Sequence, residues 1–250
     1  TRFKCDWSSD VCSSDLSTPT YTMVVPSTDA TVKYRPFLVK EEKALLIAQQ
    51  SEDAMVMVET LKNVVKDCVQ DKIDISKLAT FDLEYMFMQI RGKSVGETID
   101  LVLACDEDHG EQNEKARVNY TVNINEITVD KNPDHKNKIE LYGNVGLVMK
   151  YPTIQDLKKL QGLDENDLDK IFDVIALSID YIYDGDQLYH GKEQKHEELI
   201  AFLGNLTSEQ FMNVQRFFET MPKLKHHVVY DCPVCGKHHD KVLEGIQSFF

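Results

Sequence analysis

The sequence predicts an α+β fold with a helical N-terminal part, a central antiparallel β-meander and a helical C-terminal part that ends in a β-hairpin. Two patterns indicate it. Apolar residues recur at steps of three and four in two stretches, as they do on one face of a helix. Between these stretches, over about 98–150, the apolar period changes to two, which is typical of strands with one buried face.

The N-terminal region begins with the segment TRFKCDWSSDVCSSDL, residues 1–16, which has neither a helix nor a strand period. We expect this segment to derive from translated sequencing adapter, to be disordered, and to replace a natural N-terminus that lies further upstream. Residues 17–39 follow as a predicted extended arm. Pro26 and Pro36 favour extended backbone at the residues that precede them. Residues 40–250 are then predicted to form a single α+β domain, since a chain of this length can bury one sizeable core.

Three helices are predicted in the N-terminal part. The first covers about 40–50, and the second begins near Ser51, which is predicted to cap it, and runs to about residue 69. Cys68 lies on the apolar face of the second helix, and we predict that it is a small buried hydrophobe. Thr80 is predicted to cap the third helix, because threonine is favoured at that position.

The central meander is predicted from apolar residues that alternate with polar ones. The alternation starts at Ile99, resumes at Val118 after a polar turn, and ends near Met149. Pro152 then ends the last strand, since proline cannot donate to a ladder.

The C-terminal part is predicted to be helical again. Apolar residues from Leu168 to Ile182 form a helical stripe, and the polar stretch DGDQLYHGKEQKH after it is predicted to be a loop. A short helix follows at about 197–204. Thr207 and Gln210 have the spacing of a capping box at the start of another helix. The final segment, about 226–250, is predicted to be a hairpin.

Composition limits the classes of partner. The chain has 28 Lys and Arg against 42 Asp and Glu, a formal net charge of −14. Such acidity argues against nucleic acid, whose phosphates attract basic surfaces, and it suits docking on a basic protein surface. No apolar run reaches the ~20 residues of a membrane span. Of six cysteines, Cys5 and Cys12 lie in the segment 1–16, and the remaining four are too few for a disulfide framework, so we expect a reducing cytoplasm.

The tail contains a candidate zinc knuckle, Cys232-Pro-Val-Cys235-Gly. Two thiolates that flank two residues at a hairpin tip can bind one tetrahedral metal ion from one side. The turn supplies two of four ligands. His238 and His239 are the nearest residues that can supply the other two.

A second source of ligands is the turn after the strand that ends at Cys105. There Cys105 with His109 or Asp108 can complete a site of three thiolates and one other ligand. The alternative is a turn without metal that is retained for packing, or a thiol pair. A redox Cys-x-x-Cys normally starts a helix, whereas this one precedes a β pattern. If one zinc ion binds, we expect it to be structural.

Motifs of the common enzyme classes are absent from the sequence. It contains no dinucleotide fingerprint, Walker loop, Gly-x-Ser-x-Gly or His-Glu-x-x-His. We therefore predict that the protein is not an enzyme and has no small-molecule substrate.

Five stretches carry a resemblance over residues 33–250. They read, in order, YRPFLVKEEK, FDLEYMFMQIRGKSVGE, GLVMKYP, NLTSEQFMNVQRFFETMP and EGIQSFF. In this wording and order the chain resembles the baseplate hub subunit and hub-assembly catalyst family of T-even-type contractile-tailed bacteriophages. The word catalyst there refers to promoting assembly.

The resemblance implies a function through protein–protein contacts. The partners would be phage baseplate hub proteins, and the location would be the host cytoplasm during assembly or the tail baseplate of the virion. The resemblance also implies that cysteine pairs can occur in both candidate turns, whereas this sequence has only Cys105 in the first of them.

Two regions are candidate partner-binding surfaces. Tyr34, Arg35 and Phe37 lie in the predicted arm, which can add a strand to a partner's sheet. Phe249 and Phe250 form an apolar end that packs either on its own domain or on a partner. Arg35 likewise binds a partner carboxylate or closes an internal salt bridge.

Two other functions compete with the hub hypothesis. The first is a small zinc-ribbon adaptor that binds nucleic acid or another protein, which would present a basic and aromatic face around the knuckle. Here Lys237, Lys241 and four histidines make a tail that is only weakly basic, on a strongly acidic body. The second is a hydrolytic tail enzyme, which needs a convergent acid pair or an open metal site.

Overall fold

Helices and antiparallel strands together make up the fold, which confirms the predicted α+β class. The computed structural model describes residues 18–51, 53–159 and 168–249, so the predicted adapter segment lies outside the described residues. The elements in chain order are β1 (Tyr21–Val24), β2 (Thr31–Tyr34), α1 (Val39–Gln50), α2 (Ala54–Cys68), α3 (Thr80–Ser94), β3 (Thr98–Ala104), β4 (Arg117–Asn123), β5 (Thr128–Asp130), β6 (Lys138–Tyr142), β7 (Val145–Met149), α4 (Ile154–Lys159), α5 (Leu168–Leu177), β8 (Ile179–Asp184), β9 (Gln187–His190), α6 (His196–Gly204), α7 (Ser208–Thr220), β10 (Lys223–Asp231) and β11 (His238–Glu244).

The helices of the N-terminal part lie close to their predicted positions, but two caps differ. Asp53, rather than Ser51, caps α2, and its carboxylate accepts a hydrogen bond from the Met55 N–H at 2.8 Å. Ala79 precedes α3, and Asp82 in the first turn accepts a hydrogen bond from the Ala79 N–H at 3.3 Å. In both helices a carboxylate satisfies a backbone donor that has no partner within the helix. Cys68 is fully buried, as predicted.

The predicted arm, residues 17–39, contains a hairpin. β1 and β2 pair in antiparallel fashion with Tyr21 opposite Tyr34, and the inward side chains of the hairpin join the main core. The loop between the strands is held by Asp82, whose carboxylate accepts a hydrogen bond from the Ser27 N–H at 2.9 Å. The strands are thus extended, as the sequence indicates, but they pair with each other and pack on the domain rather than project from it.

The strands of the predicted central meander lie in three different sheets. β3 and β4 form a two-stranded ribbon, β5 pairs with β10, and β6 and β7 pair with β8 and β9. The prediction of one meander is therefore wrong in its pairing, although the strands themselves occur. A period of two shows that a strand has one buried face, but it does not specify the neighbouring strand.

The predicted helical stripe from Leu168 to Ile182 is divided between two elements. α5 ends at Leu177, and the residues from Ile179 form β8, which turns back through Gly185 into β9. Gly185 has a φ of 57°, which the two-residue turn requires and which glycine adopts without strain. The stretch predicted as a polar loop therefore contains a strand, because β-branched and aromatic residues favour the hairpin. The capping box of Thr207 and Gln210 is present, as predicted.

Two hydrophobic cores organise these elements. The first lies among α2, α3, the β1–β2 and β3–β4 ribbons and the β10–β11 hairpin. The second lies between the four-stranded sheet β6-β7-β8-β9 and the helices α5, α6 and α7. No described helix has both the length and the apolar character needed to cross a membrane.

The C-terminal residues 246–249 form a single 3-10 turn that packs on α3. Phe249 is buried in the first core, and Phe250 lies outside the described residues. The Ile246 N–H donates a hydrogen bond to the Glu84 carboxylate, and burial raises the pKa of Glu84 to about 7.

The raised pKa of Glu84 predicts a pH-dependent stability. Since the carboxyl titrates near 4.5 when unfolded, the folded protein binds more protons than the unfolded chain between pH 4.5 and about 7. The contribution of Glu84 to stability is therefore complete below pH 4.5 and falls by up to about 3 kcal/mol as the pH rises through this window. We expect Glu84→Gln to gain stability relative to the wild type from pH 5 to pH 8, measured by urea unfolding.

The exposed carboxyl of Glu126 provides the matched control for that measurement. Glu126→Gln should leave the difference from the wild type constant over the same pH range. Parallel curves for Glu84→Gln and the wild type would contradict the prediction.

Candidate metal centre

The tips of two hairpins meet at one end of the first core. Cys105 directly follows β3, and the turn that joins β10 to β11 carries Cys232 and Cys235. Hydrogen bonds shape this second turn, because the Cys232 N–H donates to the Lys237 carbonyl at 2.9 Å and the Gly236 N–H donates to the Cys232 carbonyl at 2.8 Å. Gly236 has a φ of 70°, so the tight turn depends on glycine at this position.

Four ligand atoms converge between these tips. They belong to Cys105, His109, Cys232 and Cys235, and all lie within 4.8 Å of one another. The Sγ atoms of Cys105 and Cys235 are 3.9 Å apart. The Cys232 Sγ lies 3.5 Å from Nε2 of His109. These four side chains are close enough together to hold one metal ion.

The two distances fit tetrahedral zinc. With Zn–S bonds of about 2.3 Å and a Zn–N bond of about 2.05 Å, tetrahedral angles place two sulfurs about 3.8 Å apart and a sulfur and a nitrogen about 3.6 Å apart. A Cys₃His set is also a usual ligand set of structural zinc. The residues present therefore suit zinc in both chemistry and spacing.

His109 immediately precedes a 3-10 helix, residues 110–116, and a hydrogen bond to that helix positions it. The His109 N–H donates to the Asn113 side chain at 2.7 Å. Asp108 uses its carboxylate within the same loop, where it accepts hydrogen bonds at 2.9 Å from the Gly110 N–H and from the Asn113 amide. Of the two predicted ligands in this turn, His109 belongs to the converging set and Asp108 does not.

The two histidines after the knuckle have different surroundings, because adjacent residues of a strand point to opposite faces. His238 is exposed and its Nδ1 lies 2.7 Å from the Asp231 carboxylate. His239 is buried, with Nε2 at 3.3 Å from the Cys105 Sγ. Neither belongs to the converging set.

His239 contacts the candidate ligand Cys105 but lies outside the four converging side chains. Its Nδ1 lies 3.3 Å from the Asp106 carboxylate, and its ring stacks on Tyr230 at 4.8 Å between centroids. Such outer contacts orient a ligand and tune its basicity. Sequence reasoning missed the roles of Asp106 and Tyr230. The hairpin register carries a signal for Tyr230, since it pairs directly with His239.

The local environment favours the thiolate form of one of the three cysteines. Burial opposes ionisation of Cys232, but hydrogen bonds from the N–H groups of Cys235 and Val234 outweigh it and lower the pKa of Cys232 to about 6. Burial raises the pKa of Cys105, and the neighbouring thiols of Cys232 and Cys235 add to that increase. Metal ligands must be deprotonated, so Cys232 is the thiol that ionises most readily to act as a ligand.

The lysines near the knuckle are paired with carboxylates. Lys237 forms an ion pair with Glu107, and Lys241 forms one with Asp106. The ammonium of Lys241 also lies 5.7 Å from the centroid of the Tyr230 ring. These pairs join the two hairpin tips on the outside of the converging ligands.

The residues predicted to bind a partner contact their own domain. Tyr34 is buried, and the Phe37 N–H donates to the Ser94 hydroxyl at 2.9 Å. Arg35 donates to the Glu41 carboxylate at 2.8 Å, so it closes an internal salt bridge. Phe249 is buried in the first core. A contact between any of these residues and a partner stays a prediction.

Comparison with known proteins gives one match. A family model described as T4 bacteriophage base plate protein matches residues 18–250. No curated protein and no solved structure matches the chain.

Proposed function

The chain belongs to the T4 bacteriophage base plate protein family, and on this premise we propose that it acts at the central hub of the baseplate, as a hub subunit or a hub-assembly factor. The observation that carries the proposal is the family match, which spans 18–250 and so includes every described residue. The five stretches that resemble hub proteins support the hub as the specific location. The protein would work in the host cytoplasm during assembly, or in the tail baseplate.

The proposed role is non-catalytic and rests on protein–protein contacts. Catalytic zinc sites keep one coordination position for water or substrate, whereas structural sites are closed by four protein ligands. The converging set offers four ligand atoms. It therefore supports a structural role, as does the lack of enzyme motifs in the sequence.

We further propose that Cys105, His109, Cys232 and Cys235 hold one structural zinc ion. When bound, the ion would supply a tetrahedral cross-link between the tips of the β3–β4 ribbon and the β10–β11 hairpin. The protein's own groups prepare for it, since His239 orients Cys105 and the turn N–H groups favour the Cys232 thiolate. Cys105 and Cys235 are 130 positions apart in the chain, so the cross-link would fix distant segments that a partner then meets as one rigid surface.

The nucleic-acid adaptor gains no support from the charges at this site. A zinc ribbon that binds nucleic acid would present free cations beside the knuckle. Here Lys237 and Lys241 are engaged by Glu107 and Asp106. We therefore keep baseplate assembly as the single proposed function.

Co-purification tests the proposed function. We would express residues 17–250 with the hub and hub-adjacent proteins of the same phage, and measure the mass of the eluted complex. We expect a stable complex with at least one hub protein, and none with a head protein of the same phage as a control. Detection of the protein in finished particles would identify a subunit, and its absence there would identify an assembly factor. A folded, monodisperse sample that associates with no hub protein would contradict the proposal.

A further inference from the structure

The outer edge of β9 has no strand partner among the described residues. The order β6-β7-β8-β9 places β9 at the end of the four-stranded sheet, and no strand among the described residues pairs with its far side. Asp184 and Gln187 flank a two-residue turn and are therefore hydrogen-bonded to each other. By alternation, the backbone N–H and C=O groups of Leu188 and His190 face the free edge.

This edge also carries exposed apolar side chains. Leu188 is 55% exposed and Tyr189 is 43% exposed. Because successive side chains of a strand point to opposite faces, the two lie on opposite faces of the sheet. Leu188 shares its face with Tyr183, and Tyr189 shares its face with Ile182. β9 itself contains neither a charged residue nor a proline between Gln187 and His190. Natural proteins usually protect edges with such residues, with bulges or by keeping the edge strand short, and of these β9 has only its short length of four residues.

The opposite edge of the same sheet is protected in the usual way. β6 carries Lys138 and Glu140, and its pairing with β7 has an irregularity between Glu140 and Tyr142. Charges and bulges of this kind oppose the addition of another strand. The difference between the two edges of one sheet indicates that β9 is left open for an interaction.

We propose that β9 pairs in antiparallel fashion with β9 of a second copy of this chain, around a two-fold axis that passes beside Tyr189. In this register Leu188 of each copy lies opposite His190 of the other. All edge-facing backbone groups of both residues are then used, and the two Tyr189 side chains meet at the axis, where cross-strand side chains are closest.

Charge complementarity supports a second copy as the occupant. Along each chain, acidic Asp186 precedes β9, and basic Lys192 follows it in a 3-10 turn that also carries acidic Glu193; all three side chains are exposed. Antiparallel pairing around Tyr189 brings Asp186 of one copy to the end of the strand where Lys192 of the other lies, and the symmetry repeats this contact. Such self-complementarity is what an interface between identical surfaces requires. The pairing of the two β9 strands would join the two four-stranded sheets into one continuous sheet across the dimer.

Sedimentation equilibrium of the full chain tests the proposal. A strand of four residues buries less area than a stable dimer of standard size, so we expect reversible dimerisation at concentrations of about 10–100 µM. Asp186→Lys and Lys192→Asp should each weaken the dimer about tenfold, because each change places like charges together twice. The double variant Asp186→Lys, Lys192→Asp should restore the dimer to within about threefold of the wild type.

Two further measurements complete the test. Asp134→Lys changes an exposed carboxylate before β6 by the same charge and should leave dimerisation unchanged. Hydrogen exchange should show that the amides of Leu188 and His190 gain protection as protein concentration rises. A protein that stays monomeric throughout, or a dimer that the charge reversals do not weaken, would overturn the proposal. Protection of the same two amides only after addition of a hub protein would also overturn it, and would assign the edge to that protein.

Discussion

Cys232→Ser is expected to abolish zinc binding and to lower the melting temperature by about 10 °C. Cys232 is 2% exposed, and its Sγ, one of the four converging ligand atoms, lies 3.5 Å from Nε2 of His109. Removal of one thiolate leaves three ligands and removes the metal cross-link between the two hairpin tips, which the Lys237–Glu107 and Lys241–Asp106 ion pairs still join. The rest of the chain retains two hydrophobic cores, so we expect destabilisation rather than complete unfolding. Metal analysis should find about one zinc ion per wild-type chain and almost none in the variant.

The neighbouring histidines provide controls for this variant. His238→Ala removes an exposed imidazole outside the converging set, so its zinc content and melting temperature should match those of the wild type. His239→Ala removes the contact with Cys105, and we expect zinc affinity to fall about 10- to 100-fold with the ligand set intact. A wild-type protein purified without zinc, and unable to bind it on addition, would refute the proposed site.

Glu41→Ala is expected to destabilise the fold by about 3–5 kcal/mol, because it leaves the Arg35 guanidinium, which is largely withdrawn from solvent, without its carboxylate partner. The two side chains are 4% and 15% exposed, and they meet at 2.8 Å. The same carboxylate accepts a hydrogen bond from the Leu38 N–H at the start of α1. Urea unfolding should show the loss as a lower midpoint with an unchanged slope.

Two comparisons isolate the buried ion pair. Glu42→Ala removes the exposed neighbouring carboxylate and should change stability by less than about 0.5 kcal/mol. The double variant Arg35→Met, Glu41→Leu removes both charges and should be more stable than Glu41→Ala alone. If Glu41→Ala is no more harmful than Glu42→Ala, the pair does not stabilise the fold.

The same pair has a defined pH dependence. Burial opposes ionisation of Glu41, but the hydrogen bonds from Arg35 and from the Leu38 N–H, together with the positive charge of Arg35, outweigh it, so the pKa of Glu41 lies below its usual value of 4.5. Its stabilising contribution is therefore present above pH 4.5 and is lost as the pH falls through the folded pKa. The difference in stability between the wild type and Glu41→Ala should accordingly shrink in acid.

Local patterns in the sequence predict elements well and their partners poorly. The alternation from Ile99 predicts β3, and the spacing of Thr207 and Gln210 predicts the start of α7. Neither pattern contains information about which strands lie side by side, because pairing depends on contacts between distant segments. The stripe to Ile182 fails for a related reason, since the β8–β9 hairpin gains ladder hydrogen bonds that no helical period reveals.

For the candidate site too, the sequence predicts the local turns but not which distant residues they meet. The knuckle and the turn after Cys105 are evident in the sequence, and the structure brings these two turns together. The choice among His109, His238 and His239 is not evident, because it depends on which face of a hairpin meets the other tip. Proximity in sequence favours His238 and His239, whereas the fold selects His109 from the opposite turn.

The segment that forms the second core is inserted in the chain between two strands of the first, β5 and β10. This arrangement affects the order in which the two parts can fold during translation. β5 and β10 lie side by side although Lys225 and Asp130 are 95 positions apart, and the segment between them contains the whole four-stranded sheet. The sheet and its helices can form as a continuous stretch while the C-terminus is still being synthesised, since domains generally fold as units during synthesis. Their formation shortens the effective loop that β10 must close to reach β5. Translation must therefore pass β10 and β11 before the sheet β11-β10-β5 can form, and a chain that ends at about residue 220 would leave β5 without a strand partner.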